Sequence, residues 1–170
     1  MIRQPDSRIL VRPVKDSSHF EKESLMLDNY KKILVGLDGS VEATKAFDKA
    51  VATALRNDAE LVIANIIDLR AFQSISAYDS VVADDTHKGA ENLIRDFADD
   101  AQKAGVKSVK TRVEFGSPKV MLGQTLPKEE NIDLIVLGAT GLSYIERIFI
   151  GSVADYIIKN APCDVLVVRQ

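Results

Sequence analysis

The sequence predicts a single α/β domain built on a five-stranded parallel sheet, order 3-2-1-4-5, with helices on both faces. Short apolar runs such as Ile33-Leu34-Val35, Leu61-Val62-Ile63 and Leu134-Ile135-Val136 lack the alternation of a half-exposed strand, so both their faces are buried. Between the runs, apolar residues return every three or four positions and mark one face of a helix. The two patterns alternate to the end of the chain, and such alternation builds parallel sheets with helical crossovers.

Residues 1–29 mix charges of both signs with Pro5, Pro13 and Ser17-Ser18 and show no sustained period. They read as an N-terminal extension, poorly ordered or forming a short helix, ahead of a domain spanning 30–170. Lys32–Leu37 is the first strand. Asp38-Gly39-Ser40 turns the chain into a helix whose apolar face is Ala43, Ala46, Phe47, Ala50, Val51, Ala54 and Leu55. Leu61–Ile67 is the second strand, and Asp68–Val82 has no clear period and reads as a long loop. Ala90, Leu93, Ile94, Phe97, Ala98 and Ala101 mark a second helix, stopped at Gly105. Val109–Phe115 is the third strand. Ser117-Pro118 then joins an N-cap residue to a proline at the first helical position. That helix contains Gly123 and Pro127; an interior proline costs about 3 kcal/mol, so a break or kink is expected near Leu126. A strand at Asp133–Leu137, a helix at Ser152–Asn160 and a strand at Asp164–Val168 complete the order.

Composition excludes several classes. With 46% hydrophobic and 28% charged residues the 170-residue chain is globular, and its net charge of −3 argues against a nucleic-acid or anionic membrane surface. No apolar run approaches the roughly 18 residues of a membrane span, and the first residues lack the apolar core of a leader. The single cysteine, Cys163, forbids an internal disulfide and fits a reducing cytoplasm. His19 and His87 lie far apart with no metal-ligand spacing and read as surface residues. Cys163 reads as an inert thiol, and Asp96, Asp99 and Asp100 as a solvated helix face.

The segment with chemistry in it follows the fourth strand. Gly138-Ala139-Thr140-Gly141 is separated by nine residues from Gly151-Ser152, which opens a helix. Glycine lets a backbone approach a phosphate without an intervening Cβ, and a helix N-terminus presents unpaired N–H groups to an anion. Each glycine alone reads as a turn residue; their spacing between a strand and a helix points to a nucleotide phosphate site. In an open sheet the ligand crevice lies beyond the carboxyl ends of strands where the order reverses, here between the first and fourth strands. The Asp38-Gly39-Ser40 turn and the glycine loop should therefore face each other. Asp38 is read as a base or ribose contact against the alternative of a turn aspartate, and Ser40 as a structural N-cap.

On these residues the chain resembles the universal stress proteins of the ATP-binding subclass. Gly138, Gly141, Gly151 and Ser152 match Gly-x-x-Gly-x9-Gly-Ser. Ile33–Ser40 resembles the family's opening strand and Ala161–Val168 its close, so the resemblance covers about 30–170. It implies an adenine nucleotide alpha hydrolase-like fold and ATP as ligand. It further implies that Gly138 and Gly141 shape the loop around ribose and phosphates, and that Gly151, Ser152 and the Val153 backbone supply donors. Gly36 and Asp38 would lie at the adenine and ribose end, with Ile66 as an apolar wall and Leu137 beside the nucleotide. Thr140 and Leu142 stand where many relatives carry basic or imidazole side chains, and Arg147 is the one cation between Gly138 and Ser152. A bound triphosphate would thus need Mg²⁺, held by phosphate oxygens and water rather than by protein ligands.

The resulting expectation is a dimeric, nucleotide-dependent regulatory protein of the stress response, with protein partners that the sequence does not identify. A slow ATPase or self-phosphorylating enzyme is the second reading, although the chain lacks a Walker Gly-Lys-Ser/Thr and a pyrophosphatase Ser-Gly-Gly-x-Asp-Ser loop. A dimer that does not use nucleotide is the third. Phe72, Ile75 and Tyr78 read as a mobile cover over the nucleotide, a surface loop or part of the dimer contact, and Tyr144, Ile145, Ile148 and Phe149 as a packed turn or partner surface. The closing strand, Val165–Val168, falls at a sheet edge with nothing after it to cover it, and pairing with its copy in a homodimer would remove that hazard.

Overall fold

The computed structural model describes residues 8–11, 30–68, 80–141 and 150–169. Strands β1 (Arg8–Val11), β2 (Lys32–Gly36), β3 (Glu60–Ile67), β4 (Val109–Phe115), β5 (Leu134–Gly138) and β6 (Asp164–Val168) form one sheet of order β1-β6-β5-β2-β3-β4. From β2 onward every pairing is parallel, and these five strands follow the expected 3-2-1-4-5 order. The order reverses between β2 and β5, which pair from Ile33–Leu134 to Val35–Val136.

One expectation is corrected. The edge of β6 is not open: β1 lies antiparallel along it, with Ile9 opposite Val167 and Leu10 opposite Leu166. Part of the N-terminal extension is therefore a sheet strand. Ile9-Leu10-Val11 is too short to show a period, and only the edge it meets makes it a strand.

Helices α1 (Val41–Asn57) and α2 (Ser80–Lys103) cover one face of the sheet. Ile33 and Val35 of β2 are buried there against Ala46, Phe47 and Ala50 of α1 and Ile94 and Ala98 of α2. The Phe47 and Phe97 rings meet edge to face with centroids 4.7 Å apart. Helix α1 starts where the Ser40 hydroxyl accepts the Ala43 N–H at 3.1 Å, and it stops at Asp58 in a left-handed conformation. Helix α2 begins at Ser80, inside the stretch expected to be loop, and the proposed cover residues Phe72, Ile75 and Tyr78 lie outside the described residues.

The other face carries α3 (Pro118–Val120), α4 (Leu126–Glu129) and α5 (Ser152–Asn160). Leu34, Ile135 and Val165 are buried there with Leu122, Leu126 and Ile157. The expected disturbance near Leu126 takes the form of a π-helical stretch, Met121–Thr125, joining α3 to α4. The Leu126 N–H donates to the Met121 carbonyl five residues back. This wider turn comes just before Pro127, which has no N–H to contribute, and lets the helical path continue through it. Gly123 lies in the same stretch, where an added Cβ would sit 3.2 Å from Ile157 of α5.

Charge occupies the edge at β4. Lys110 donates to both carboxylate oxygens of Glu130, at 2.8 and 2.7 Å, and Arg112 pairs with Glu114, Glu129 and Glu130. Glu130 is only 6% exposed. The Lys110 hydrogen bonds hold its carboxyl below the ordinary range, opposed by burial and aided by Arg112. A carboxylate lowered in the folded state stabilises the fold above its unfolded value, near 4.5, and loses that contribution as pH falls through the folded value. Glu130→Gln is expected to lower stability at neutral pH by roughly 2 kcal/mol and to make the fold less sensitive to acid; denaturant titrations at neutral pH and near about pH 3 measure both.

Candidate functional site

Each parallel strand sends its chain out at the same end of the sheet, and β2 and β5 send theirs in opposite directions. The gap between them is a cleft of about 670 Å³. A cleft of that size suits a small organic ligand, for which about 300–1,000 Å³ is usual. All nine residues singled out from the sequence line it: Gly36, Asp38, Ile66, Leu137, Gly138, Gly141, Gly151, Ser152 and Val153.

The β2 exit forms one wall. Asp38 is exposed, and its Oδ1 accepts the Ser40 N–H at 3.0 Å, fixing the turn that starts α1. Gly39 occupies that turn at φ 83°, a conformation that glycine adopts without strain. The other carboxylate oxygen, Oδ2, would lie 2.6 Å from a Cβ built on Gly141. Asp38 is thus a turn aspartate through one oxygen and faces the glycine loop with the other. Asn65 ties the neighbouring strand to this exit by donating to the Leu37 carbonyl at 2.8 Å.

The β5 exit and α5 form the opposite wall. Gly151 is the N-cap of α5, with extended backbone and no side-chain cap. Its own N–H donates to the Ala139 carbonyl at 2.7 Å, which closes the base of the loop. That N–H, expected to face phosphate, is engaged within the loop. The N–H groups of Ser152, Val153 and Ala154 precede the first intrahelical bond, Asp155 to Gly151. Residues 142–149, which include Leu142, Tyr144, Ile145, Arg147, Ile148 and Phe149, lie outside the described residues.

The glycines have separate reasons to be glycine. A Cβ on Gly138 would sit 2.9 Å from the Glu42 backbone and Cβ, so this residue lets the first turn of α1 pack against β5. On Gly151 it would meet the Ala139 carbonyl at 3.2 Å, again a backbone contact. On Gly141 it would meet only the movable end of Asp38. On Gly36 it would press on Leu122 Cδ1 at 2.8 Å, where the π-helical stretch covers the end of β2. Gly141 is therefore the member of the motif whose missing side chain keeps the cleft itself open.

Several lining residues were not anticipated. Asn65 interrupts the apolar run of β3, and a polar residue within a buried strand was a readable signal. Thr86, Gly89, Ala90 and Leu93 belong to one side of α2, obscured because the start of that helix reads as loop. Pro118, Leu122 and Ala154 come from the other face of the sheet and depend on tertiary packing. No Lys, Arg or His is found among the described lining residues, whereas Asp38 and Asp68 are.

A doubly wound sheet with a cleft where its strand order reverses defines a class of α/β proteins that bind ligands at that point. The universal stress protein family matches residues 29–169, and the chain belongs to that family. It is 48% identical over 140 residues to a Staphylococcus haemolyticus protein assigned by name to the universal stress proteins, covering 82% of this chain and 85% of that one. Its fold is similar to that of UspA from Lactobacillus plantarum, with a TM-score of 0.68, 32% identity and coverage of 83% and 99% of the two chains. It is also similar to a universal stress protein solved in complex with cAMP, with a TM-score of 0.65, 28% identity and coverage of 83% and 98%.

The two kinds of glycine should separate in experiment. Gly138→Ala forces two backbones apart and is expected to destabilise the fold by about 1–3 kcal/mol. Gly141→Ala displaces only the Asp38 carboxylate and should stay within about 1 kcal/mol of the parent. Thermal and denaturant unfolding of the two variants measures the difference; equal losses would mean that the Gly141 backbone is as confined as that of Gly138.

Proposed function

We propose that this chain is an ATP-binding universal stress protein of the cytoplasm, and that its nucleotide state regulates partner proteins during stress. The carrying observation is convergence: the Asp38 turn, the glycine loop and the open donors of α5 line one cleft of suitable size. In this reading Ile66 walls the base, Gly36, Asp38 and Leu137 border the base and ribose, and Gly138 and Gly141 shape the loop. Gly151 sets the loop's base, and the Ser152 hydroxyl and the N–H groups of Ser152 and Val153 meet phosphate oxygens. Family membership and the relative solved with cAMP support an adenine nucleotide as ligand class.

The charges in the cleft define what the ligand must bring with it. With acidic residues and no cationic side chain among the described lining residues, a triphosphate is favoured only with a cation of its own. Mg²⁺ on the phosphates supplies that charge, and no group of three or more His, Cys, Asp or Glu among the described residues could hold the ion alone. The proposed homodimer through Val165–Val168 is conditional, because β6 reaches a second copy along its outer edge only when β1 has left it.

Calorimetric titration of nucleotide-stripped protein with ATP tests the reading. Saturable binding of one nucleotide per chain is expected, weaker by at least tenfold without Mg²⁺, and lost in Gly151→Val while circular dichroism is unchanged. No binding up to about millimolar ATP, a free energy weaker than about 4 kcal/mol, would overturn it. Phosphate release from the bound complex, absent in Asp38→Ala, would instead make the protein an ATPase.

A further inference from the structure

The two outer edges of a sheet expose the same unpaired backbone groups, and this chain treats them differently. At β4 the edge carries Lys110, which pairs with Glu130, and Arg112, which pairs with Glu114 of the same strand and with Glu129 and Glu130. Such charges discourage another strand from docking. Strand β6 has no such protection. Its residues Val165, Val167 and Val168 are at most 4% exposed, and Leu166 packs on the core. Here the edge is protected by a strand, β1.

The covering strand reads like the strand it covers. Ile9-Leu10-Val11-Arg12 parallels Leu166-Val167-Val168-Arg169, three branched aliphatic residues followed by arginine. Its register has the same character. If β1 is replaced by the matching residues of a second β6, the pairs Ile9–Val167 and Leu10–Leu166 become Leu166–Val167 and Val167–Leu166. That arrangement is a two-fold antiparallel pair centred on the apolar part of the strand, the geometry of an isologous dimer. A strand has two hydrogen-bonding edges, and those of β6 are taken by β5 and β1. Cover by β1 and pairing with a second β6 exclude each other.

We propose that β1 is an intramolecular stand-in for a second copy of β6. The N-terminal strand holds the chain as a monomer at this edge, and its release lets two copies associate along β6. Oligomeric state is therefore set by a segment outside the nucleotide cleft, and the inference stands whether or not the cleft binds ATP. Lysine at Val165 or Val167 would be a poor test, because both side chains are core residues. Changes in β1 leave the core sequence intact.

The experiment compares three proteins by light scattering across a concentration series, with circular dichroism as the check of folding. They are the full chain, the chain lacking residues 1–11, and the full chain carrying Ile9→Pro and Leu10→Pro, which removes adjacent strand donors on both edges of β1. The full chain is expected at 18.7 kDa, and both altered chains at about twice the monomer mass. A synthetic peptide of residues 7–12 should return the truncated chain to monomer. The proposal is overturned by equal masses for all three proteins, or by a dimeric full chain that becomes monomeric on truncation. If both variants lose their folded signal, the full chain carrying Leu10→Cys and Leu166→Cys decides. A disulfide within one chain on a non-reducing gel is expected, and a disulfide between two chains overturns the proposal.

Discussion

The parallel pairing of β2 with β5 is the constraint on which the rest of this molecule depends. Ile33, Leu34, Val35, Ile135 and Val136 have no measurable exposure, so the two strands lie between both helical layers with no freedom to slide. A shift by one residue would move every side chain to the opposite face, exchanging the α1–α2 core with the α4–α5 core. With that register held, the chain must leave β2 toward α1 and leave β5 toward α5. The separation of those exits is the cleft.

The same packing sets the chemistry of the cleft. Glu42, in the first turn of α1, lies so close to β5 that Gly138 has no room for a Cβ. This brings the Asp38 turn and the glycine loop within reach of each other, and Asp38 Oδ2 faces Gly141. The Gly151–Ala139 hydrogen bond then fixes where α5 begins and so where its open donors point. Among the described residues the cleft offers an anion oriented backbone dipoles and no side-chain cation.

The edges show a second constraint, that unpaired strand backbone must be protected. Charge protects β4 through a network in which buried Glu130 links α4 to the strand. A borrowed strand protects β6. The first device is built from residues of the parallel-sheet domain itself. The second comes from a segment distant in sequence, paired to β6 through four of its described residues. Backbone pairing of that extent can be lost without dismantling the parallel sheet.

While the resemblance to a family supplied Gly36, Ile66, Leu137 and Val153, the sequence by itself determined the parallel sheet, the boundaries of most strands and the glycine loop between the fourth strand and the last helix. Those features have local causes: apolar runs buried on both faces, helical periods, and glycines spaced between a strand and a helix. Only the tertiary structure decided the rest. Pro127 follows a π-helical stretch instead of ending its helix, since packing of Gly123 and Leu126 against the sheet and α5 holds the helical path. Gly138 and Gly141 look alike in the motif, yet one borders a backbone and the other a carboxylate. Asn65, Leu122 and Thr86 reach the cleft from separate elements with no shared local pattern. Arg8–Val11 is a strand because β6 has an edge to offer, and a three-residue apolar run becomes structure only when a distant partner supplies the other half of its hydrogen bonds.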